Sequence, residues 1–295
     1  MIMKLNYNII AVLLSIVFFI SLCLLDVTIF TPAETKVDAK QDVVELPVAM
    51  YHQILKDYKR WGDYVIPPSQ FEEDLKYIQQ KGYTTVSAQQ IMNYVNKGTP
   101  LPPKPMLITF DDGYEGVYEY AFPLLKKYNM KAVFAIIGKH TDIFSNPNEK
   151  QSVVYGHATW DQLREMQKSG VFEIGNHTYN MHDGPGNRRY GTKIRPGESI
   201  VDYKIALDKD VGALYKQIEK EIGVAPLVFA YPFGAICPES KPILKDIGFS
   251  IILTSEQKNN TLTRNMATPI YLKRFNRPHS DSTSSYFKKF NEVKK

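Results

Sequence analysis

Hydrophobic and polar positions divide the chain into three regions. Ile9 to Leu25 is a run of 17 uncharged residues, preceded by Lys4 and followed by Asp26. The run has no polar face, which argues against a buried amphipathic helix. It is short for a membrane span and long for a signal-peptide core. No Ala-x-Ala cleavage pattern is evident, and Leu22 stands where a lipoprotein signal at Cys23 needs a small residue. An uncleaved anchor over residues 1–25 is the first expectation and a cleaved signal the second. Lys4 and the amino terminus set the start of the run inside and the rest of the chain outside the cytoplasm. Residues 26–45 mix Lys, Asp and Glu around Pro32, the composition of a linker.

From residue 46 to about 290, strand and helix patterns alternate. Pro47–His52 reads as a short buried strand. Ser69 and Glu72 form a capping-box pattern ahead of a helix with Phe71, Leu75 and Ile78 on one face. Thr84–Ser87 reads as a strand, and the next helix ends at Gly98. Met106–Phe110 is a strand running into Asp111-Asp112. A helix follows that Pro123 bends, then a strand over Lys131–Gly138. Thr159 and Gln162 form a second capping box, and Gly170 closes that helix. Phe172–His177 is a strand. A long helix from about Ile200 to Ile222 carries Leu207, Val211, Leu214, Ile218 and Ile222 on one face. LVFAYPFG, FSIILT and YLKRF are three further strands, with a short helix near Ser240–Ile247. About eight strands interleaved with helices predict an α/β protein with a parallel sheet, a (β/α) barrel, with a doubly wound open sheet as the alternative. No Gly-rich phosphate loop follows any strand, so a dinucleotide fold has little support.

Composition changes this picture little. The chain has 295 residues, 44% of them hydrophobic, enough for one large core. Its net charge of +5 comes from 36 basic and 31 acidic residues, an excess too mild to indicate nucleic-acid binding. The two cysteines, Cys23 and Cys237, are not expected to pair, because Cys23 lies in the apolar run.

Candidate chemistry sits at strand ends, where a barrel carries its reactive groups. Asp111 and Asp112 are adjacent at one such end, so their side chains diverge. One can bind a metal while the other faces the water beside it; a turn capping the next helix is the alternative. His177 and His182 are five residues apart. They converge only if the chain turns after His177, and two imidazoles with one carboxylate suit zinc or a similar ion with a position left open. Two unrelated loop histidines are the alternative. Ala230-Tyr231-Pro232-Phe233-Gly234 is a turn that can offer the Tyr231 N–H to an oxyanion, or can be only a turn. The loop after His182, with Arg188, Arg189, Lys193 and Arg195, suits either a sugar or anionic polymer or plain solvation.

Taken in order, ITFDDGY, a His-Thr pair with a second His, and a YPFG turn resemble the polysaccharide deacetylases of carbohydrate esterase family 4, the NodB-homology domain. The resemblance spans about Val48 to Pro278. The five-residue His spacing, the opening PVAMYH and the late LKRFNRP are most similar to the exported poly-β-1,6-N-acetylglucosamine deacetylases of biofilms. It implies a distorted (β/α) barrel of seven to eight strands that removes N-acetyl groups from a cell-surface polysaccharide. It implies Asp111 as general base, Asp112, His177 and His182 as ligands of a divalent metal (Zn first, with Co, Ni or Fe possible), and Tyr231 as the oxyanion donor. The family's late Leu-x-His, source of the general acid, is not evident, and Ala230 stands where an arginine often precedes the turn. Arg274 and His52 are the further candidates to line the site, with Pro232 in the turn. An O-acetyl esterase on the same site and an inactive sugar-binding protein are the alternative functions.

Overall fold

The structure, a computed structural model, describes residues 43–290 except 185, 187 and 188. The apolar run, the linker up to residue 42, and Arg188 therefore lie outside the described residues. Among the described residues no helix is long and apolar enough to cross a membrane. Val43–Leu46, expected to close the linker, is instead a strand paired antiparallel with Asn260–Thr263. Val44 and Leu46 are buried and Val43 and Glu45 exposed, the alternation of a half-buried strand. Four residues are too few for that alternation to stand out beside a Lys- and Asp-rich stretch.

The main sheet is parallel throughout. Its strands are β1 (Val48–Tyr51), β2 (Pro105–Phe110), β3 (Ala132–Ile136), β4 (Phe172–Asn176), β5 (Val228–Ala230), β6 (Ile251–Leu253), β7 (Ile270–Leu272) and β8 (Phe275–Asn276). The spatial order is β7-β6-β5-β4-β3-β2-β1-β8, with Thr84–Thr85 added beside the start of β2. The two ends of this path, β7 and β8, are two residues apart in the chain. One stretch, Ile270–Asn276, pairs with β6 through its first half and with β1 through its second. The sheet thus returns on itself as the expected distorted (β/α) barrel. YLKRF is not one strand, as its pattern predicts. It breaks at Lys273 and Arg274 because a single segment serves both edges.

Side chains alternate across the strands into two apolar clusters. Val48, Leu107, Val133, Val228 and Leu253 belong to one, together with Val44, Leu46 and Ile91 of the helix Ala88–Lys97. Ala49, Ile108, Phe110, Phe134 and Phe172 belong to the other, with the faces of the helices Pro68–Gln80 and Trp160–Lys168. Leu107, Thr109 and Asp111 lie on one face of β2 and its continuation, so the period that buries Leu107 also directs Asp111.

Helix boundaries follow local chemistry, with four exceptions. Thr159 and Gln162 form the expected capping box, and Gly98 closes its helix with φ 68°, a left-handed conformation open to glycine. The Ser69 box does not form. Pro67 is the N-cap, Pro68 begins the helix, and no side chain caps it. Two prolines preset the entry, which places Ser69 inside the first turn. Gly138–Phe144 is a helix that the strand-like KAVFAIIG concealed. The expected long helix is present, but Asp208–Gly212 is a π turn between Ile200–Leu207 and Ala213–Ile222. Pro123 sits in the first turn of Phe122–Lys127, after a second π turn at Val117–Ala121.

The carboxy-terminal helix Thr283–Lys288 is tied to the barrel by a buried ion pair. Arg277 Nε and Nη2 donate to Asp74 Oδ2 and Oδ1 at 2.7 and 2.9 Å, and Thr283 and Tyr51 donate to the same carboxylate. Removing one partner leaves the other charge buried and unpaired. Arg277→Met is expected to lower unfolding free energy by about 3–5 kcal/mol, read from the urea midpoint. A loss below about 1 kcal/mol contradicts the anchoring role.

Candidate active site

The sequence candidates come together at one mouth of the barrel. Asp111, Asp112, His177, His182, His52, Tyr231 and Arg274 all line one cavity of about 330 Å³. Pro232 is buried and is not among the lining residues; Phe233 and Gly234 of the same turn are.

Asp112 lies just past β2 at φ 73°, a left-handed conformation that few non-glycine residues adopt. Its Oδ1 is 3.4 Å from His177 Nε2 and 3.2 Å from His182 Nε2. The expected turn after His177 exists, because Thr178 has φ 77° and brings His182 back beside His177. One atom from each of the three residues lies within 4.8 Å of the others. The His177 Nδ1 is 2.8 Å from the Ala230 carbonyl, which can only accept. Nδ1 therefore carries a proton, and Nε2, which faces Asp112, donates to that carboxylate when protonated and can offer its lone pair to a metal when not. Burial would raise the Asp112 carboxyl, but hydrogen bonds from His177 and His182 hold it well below the usual range. An ionised carboxylate with two imidazoles, one of fixed tautomer, fits a divalent metal.

The loop that carries the histidines is held by the π turn of the long helix. Asp210, within that turn, accepts from the Tyr179 and Asn180 N–H groups at 2.8 and 2.9 Å. Asn176 donates to the Val211 carbonyl and accepts the Thr178 N–H. A π turn frees carbonyls and shifts side chains relative to a regular helix, and here both effects serve the loop. Asp210 was not legible in the sequence, where the regular apolar face of the helix continues past it.

Two expected roles change. The Tyr231 N–H donates to the Leu253 carbonyl at 3.1 Å, within the β5–β6 ladder, and is not available to an oxyanion. Pro232 has no N–H. The next donor along the turn, the Phe233 N–H, has no acceptor among the described residues. Phe233 lies in the cavity at φ 57°, its ring 4.5 Å from that of His182. Arg274 also is not free to meet a substrate. Its Nη1 and Nη2 donate to Asp111 Oδ1 and Oδ2 at 2.7 and 2.8 Å, and its Nε donates to the Thr254 carbonyl. It supplies the guanidinium missing at Ala230, from another strand. Burial would raise the Asp111 carboxyl, but Arg274 and then His177 outweigh it and keep Asp111 ionised.

His52 lies just past β1, its ring 4.7 Å from that of Tyr64, with its Nδ1 buried and unpartnered. Burial lowers its affinity for a proton, against the pull of Asp112 and Asp111. In the basic loop, Arg189 is buried against Glu198 and the Lys193 carbonyl, which makes it a structural strut and not a polymer contact.

A parallel barrel with paired aspartates and two converging histidines at its mouth defines a hydrolase of the polysaccharide deacetylase class. The polysaccharide deacetylase family pattern matches residues 98–252, more than half of the chain, and the chain belongs to this family. It is 31% identical over 208 residues to the poly-β-1,6-N-acetyl-D-glucosamine N-deacetylase of Escherichia coli K12, covering 64% of this chain and 30% of that protein. It is 27% identical over 207 residues to the enzyme of the same name from Staphylococcus aureus MRSA252, covering 70% of this chain and 67% of that one. The chain thus spans under a third of the length of the first of these relatives. Among solved structures, a de-N-acetylase from Aggregatibacter actinomycetemcomitans superposes with TM-score 0.72 at 28% identity, covering 84% of this chain and 100% of that one. IcaB from Ammonifex degensii superposes with TM-score 0.69, also at 28% identity, over 83% and 97%.

Two predictions follow from these contacts. In Arg274→Met the burial of Asp111 loses its largest counterweight, so its carboxyl pKa rises. Any rate that needs the Asp111 carboxylate then falls off at higher pH than in the wild type. The stability owed to the depressed pKa is present above the unfolded value, about 3.9, and is lost as pH falls through the folded value, so the variant's deficit narrows in acid. An unmoved acid limb contradicts the pairing. In Asp210→Asn the histidine loop loosens, and Zn²⁺ affinity measured by chelator competition is expected to fall about 10–100-fold with the fold retained. Unchanged affinity contradicts the positioning role.

Proposed function

We propose that this protein is a metal-dependent N-deacetylase acting on a β-1,6-linked N-acetylglucosamine polysaccharide outside the cytoplasm. The observation that carries this reading is the convergence of Asp111, Asp112, His177 and His182 in one cavity. The names of the relatives support the polymer.

Asp112, His177 and His182 would hold a divalent ion, zinc first and Co, Ni or Fe as alternatives. When bound, the ion supplies Lewis acidity to the acetamide carbonyl and makes water acidic near neutral pH. Asp111, kept ionised and oriented by both nitrogens of the Arg274 fork, takes the proton as water adds to the carbonyl carbon. The Phe233 N–H donates to the oxygen on which negative charge develops. The proton that Asp111 takes passes to the departing nitrogen as the C–N bond breaks, by way of His52, the third imidazole in the cavity, which is neutral before and after the transfer. The products are acetate and a glucosamine unit in the polymer. The apolar run at 9–25 tethers the domain to the membrane with the catalytic part outside, a reading supported by its lack of any charged or polar face and by Lys4.

The full chain in mild detergent is expected to release acetate from β-1,6-linked N-acetylglucosamine oligomers and to lose that activity on chelation. Asp111→Asn and His52→Ala should each lower kcat by about 10²–10⁴-fold with bound metal retained. Full activity in either variant removes the role assigned to it. Stoichiometric metal surviving in His177→Ala/His182→Ala refutes the ligand set.

A further inference from the structure

A second cavity, of about 520 Å³, adjoins the site. Its lining includes Gln53, Arg60, Val65, Tyr114, Tyr155 and His157. Two pairs of consecutive residues join it to the first. His52 and Tyr64 line the catalytic cavity, while Gln53 and Val65 line the second. Gln53–Ile54 and Val65–Ile66 are themselves paired as short parallel strands. Side chains alternate along extended chain, so this two-strand ladder sends one residue of each pair to each cavity.

The second cavity combines an aromatic platform with neutral hydrogen-bonding groups. Tyr155 is 55% exposed. Gln53 and His157 are buried, yet each keeps one side-chain atom without a hydrogen-bond partner, Oε1 and Nδ1 respectively. His157 Nε2 is 3.1 Å from His140 Nδ1, and burial, then His140, push the His157 pKa down to about 4. At neutral pH it is therefore an uncharged donor and acceptor. Arg60 is already paired with Asp57, at 3.6 Å. Nothing in this set favours an anion, and a neutral, hydroxyl-bearing ring suits it. The pattern of exposed aromatics points the same way. Among the described residues three aromatic side chains are exposed, Tyr64 at 60%, Tyr155 at 55% and Phe233 at 46%. All three line one or other of these two cavities. Exposed aromatic rings cost free energy in water, so their confinement to one track marks a surface that is covered in use.

We propose that the second cavity is a sugar-binding subsite, holding a pyranose unit of the polymer next to the one whose acetamide enters the catalytic cavity, with Tyr155 as its platform. This rests on the deacetylase reading for the identity of the polymer. It makes Tyr155 a determinant of chain-length preference and not of the chemical step.

The test is calorimetric titration of the full chain, in an Asp111→Asn background that slows turnover, with N-acetylglucosamine itself and its β-1,6-linked hexamer. The hexamer is expected to bind more tightly than the monomer. Tyr155→Ala should weaken hexamer binding about tenfold and leave the monomer unchanged, while Tyr155→Phe keeps the wild-type preference. Wild-type hexamer affinity in Tyr155→Ala, or equal losses for both lengths, overturns the subsite. Because binding and not turnover is read, the deacetylase reading fails separately. Tyr155-dependent hexamer binding by a wild-type protein that releases no acetate would leave the track standing and remove the activity.

Discussion

The site depends on how the sheet closes. Ile270–Asn276 is the only segment described that pairs with both ends of the sheet, and the change of partner falls at Lys273 and Arg274. A regular strand would direct successive side chains to alternate faces. At the break, Arg274 reaches the barrel mouth and meets Asp111 through both of its terminal nitrogens. A buried carboxylate without that partner would bind a proton and lose its use as a base. Barrel closure and the charge state of Asp111 are therefore one constraint. This also explains why Ala230, at the turn, can lack an arginine.

Three of the six described non-glycine residues with positive φ stand where the site is built. Asp112, Thr178 and Phe233 each adopt positive φ, at 73°, 77° and 57°. For residues with a Cβ such conformations cost on the order of 1–2 kcal/mol each. The last two are held by surroundings already in place. Thr178 is fixed by Asn176, the loop after it by Asp210, and the Phe233 turn by the bond from Gly234 N–H to the Tyr231 carbonyl. The barrel thus supplies the rigidity, and the three bends aim one carboxylate, two imidazoles and one free N–H into a cavity of about 330 Å³.

Much of this was legible in the residues. The alternation of strands and helices, the Thr159 box, the helix stop at Gly98 and the turn demanded by the His177/His182 spacing all rest on local rules, which act over a few residues. Errors fall where a local rule meets a longer-range one. Ser69 and Glu72 have the spacing of a cap, but Pro67 and Pro68 start the helix earlier. Tyr231 has the position of a donor, but the ladder with β6 takes its N–H. Arg274 seemed available to a substrate because Asp111, 163 residues earlier, is invisible from YLKRF.

By itself, then, the sequence determined most of the elements, the two-faced burial of the strands and the identity of the groups with ionisable or ligating chemistry. These follow from periodicity and side-chain type. Only the tertiary structure decided which groups are already occupied: Arg274 by Asp111, the Tyr231 N–H by Leu253, Arg189 by Glu198, and Asp210 by the histidine loop. A hydrogen-bonding atom has a limited number of partners, and neighbours brought together across the barrel claim them first. Groups left unclaimed around the two cavities include His52, Phe233, Gln53 and His157, and that set exists only once the sheet has closed.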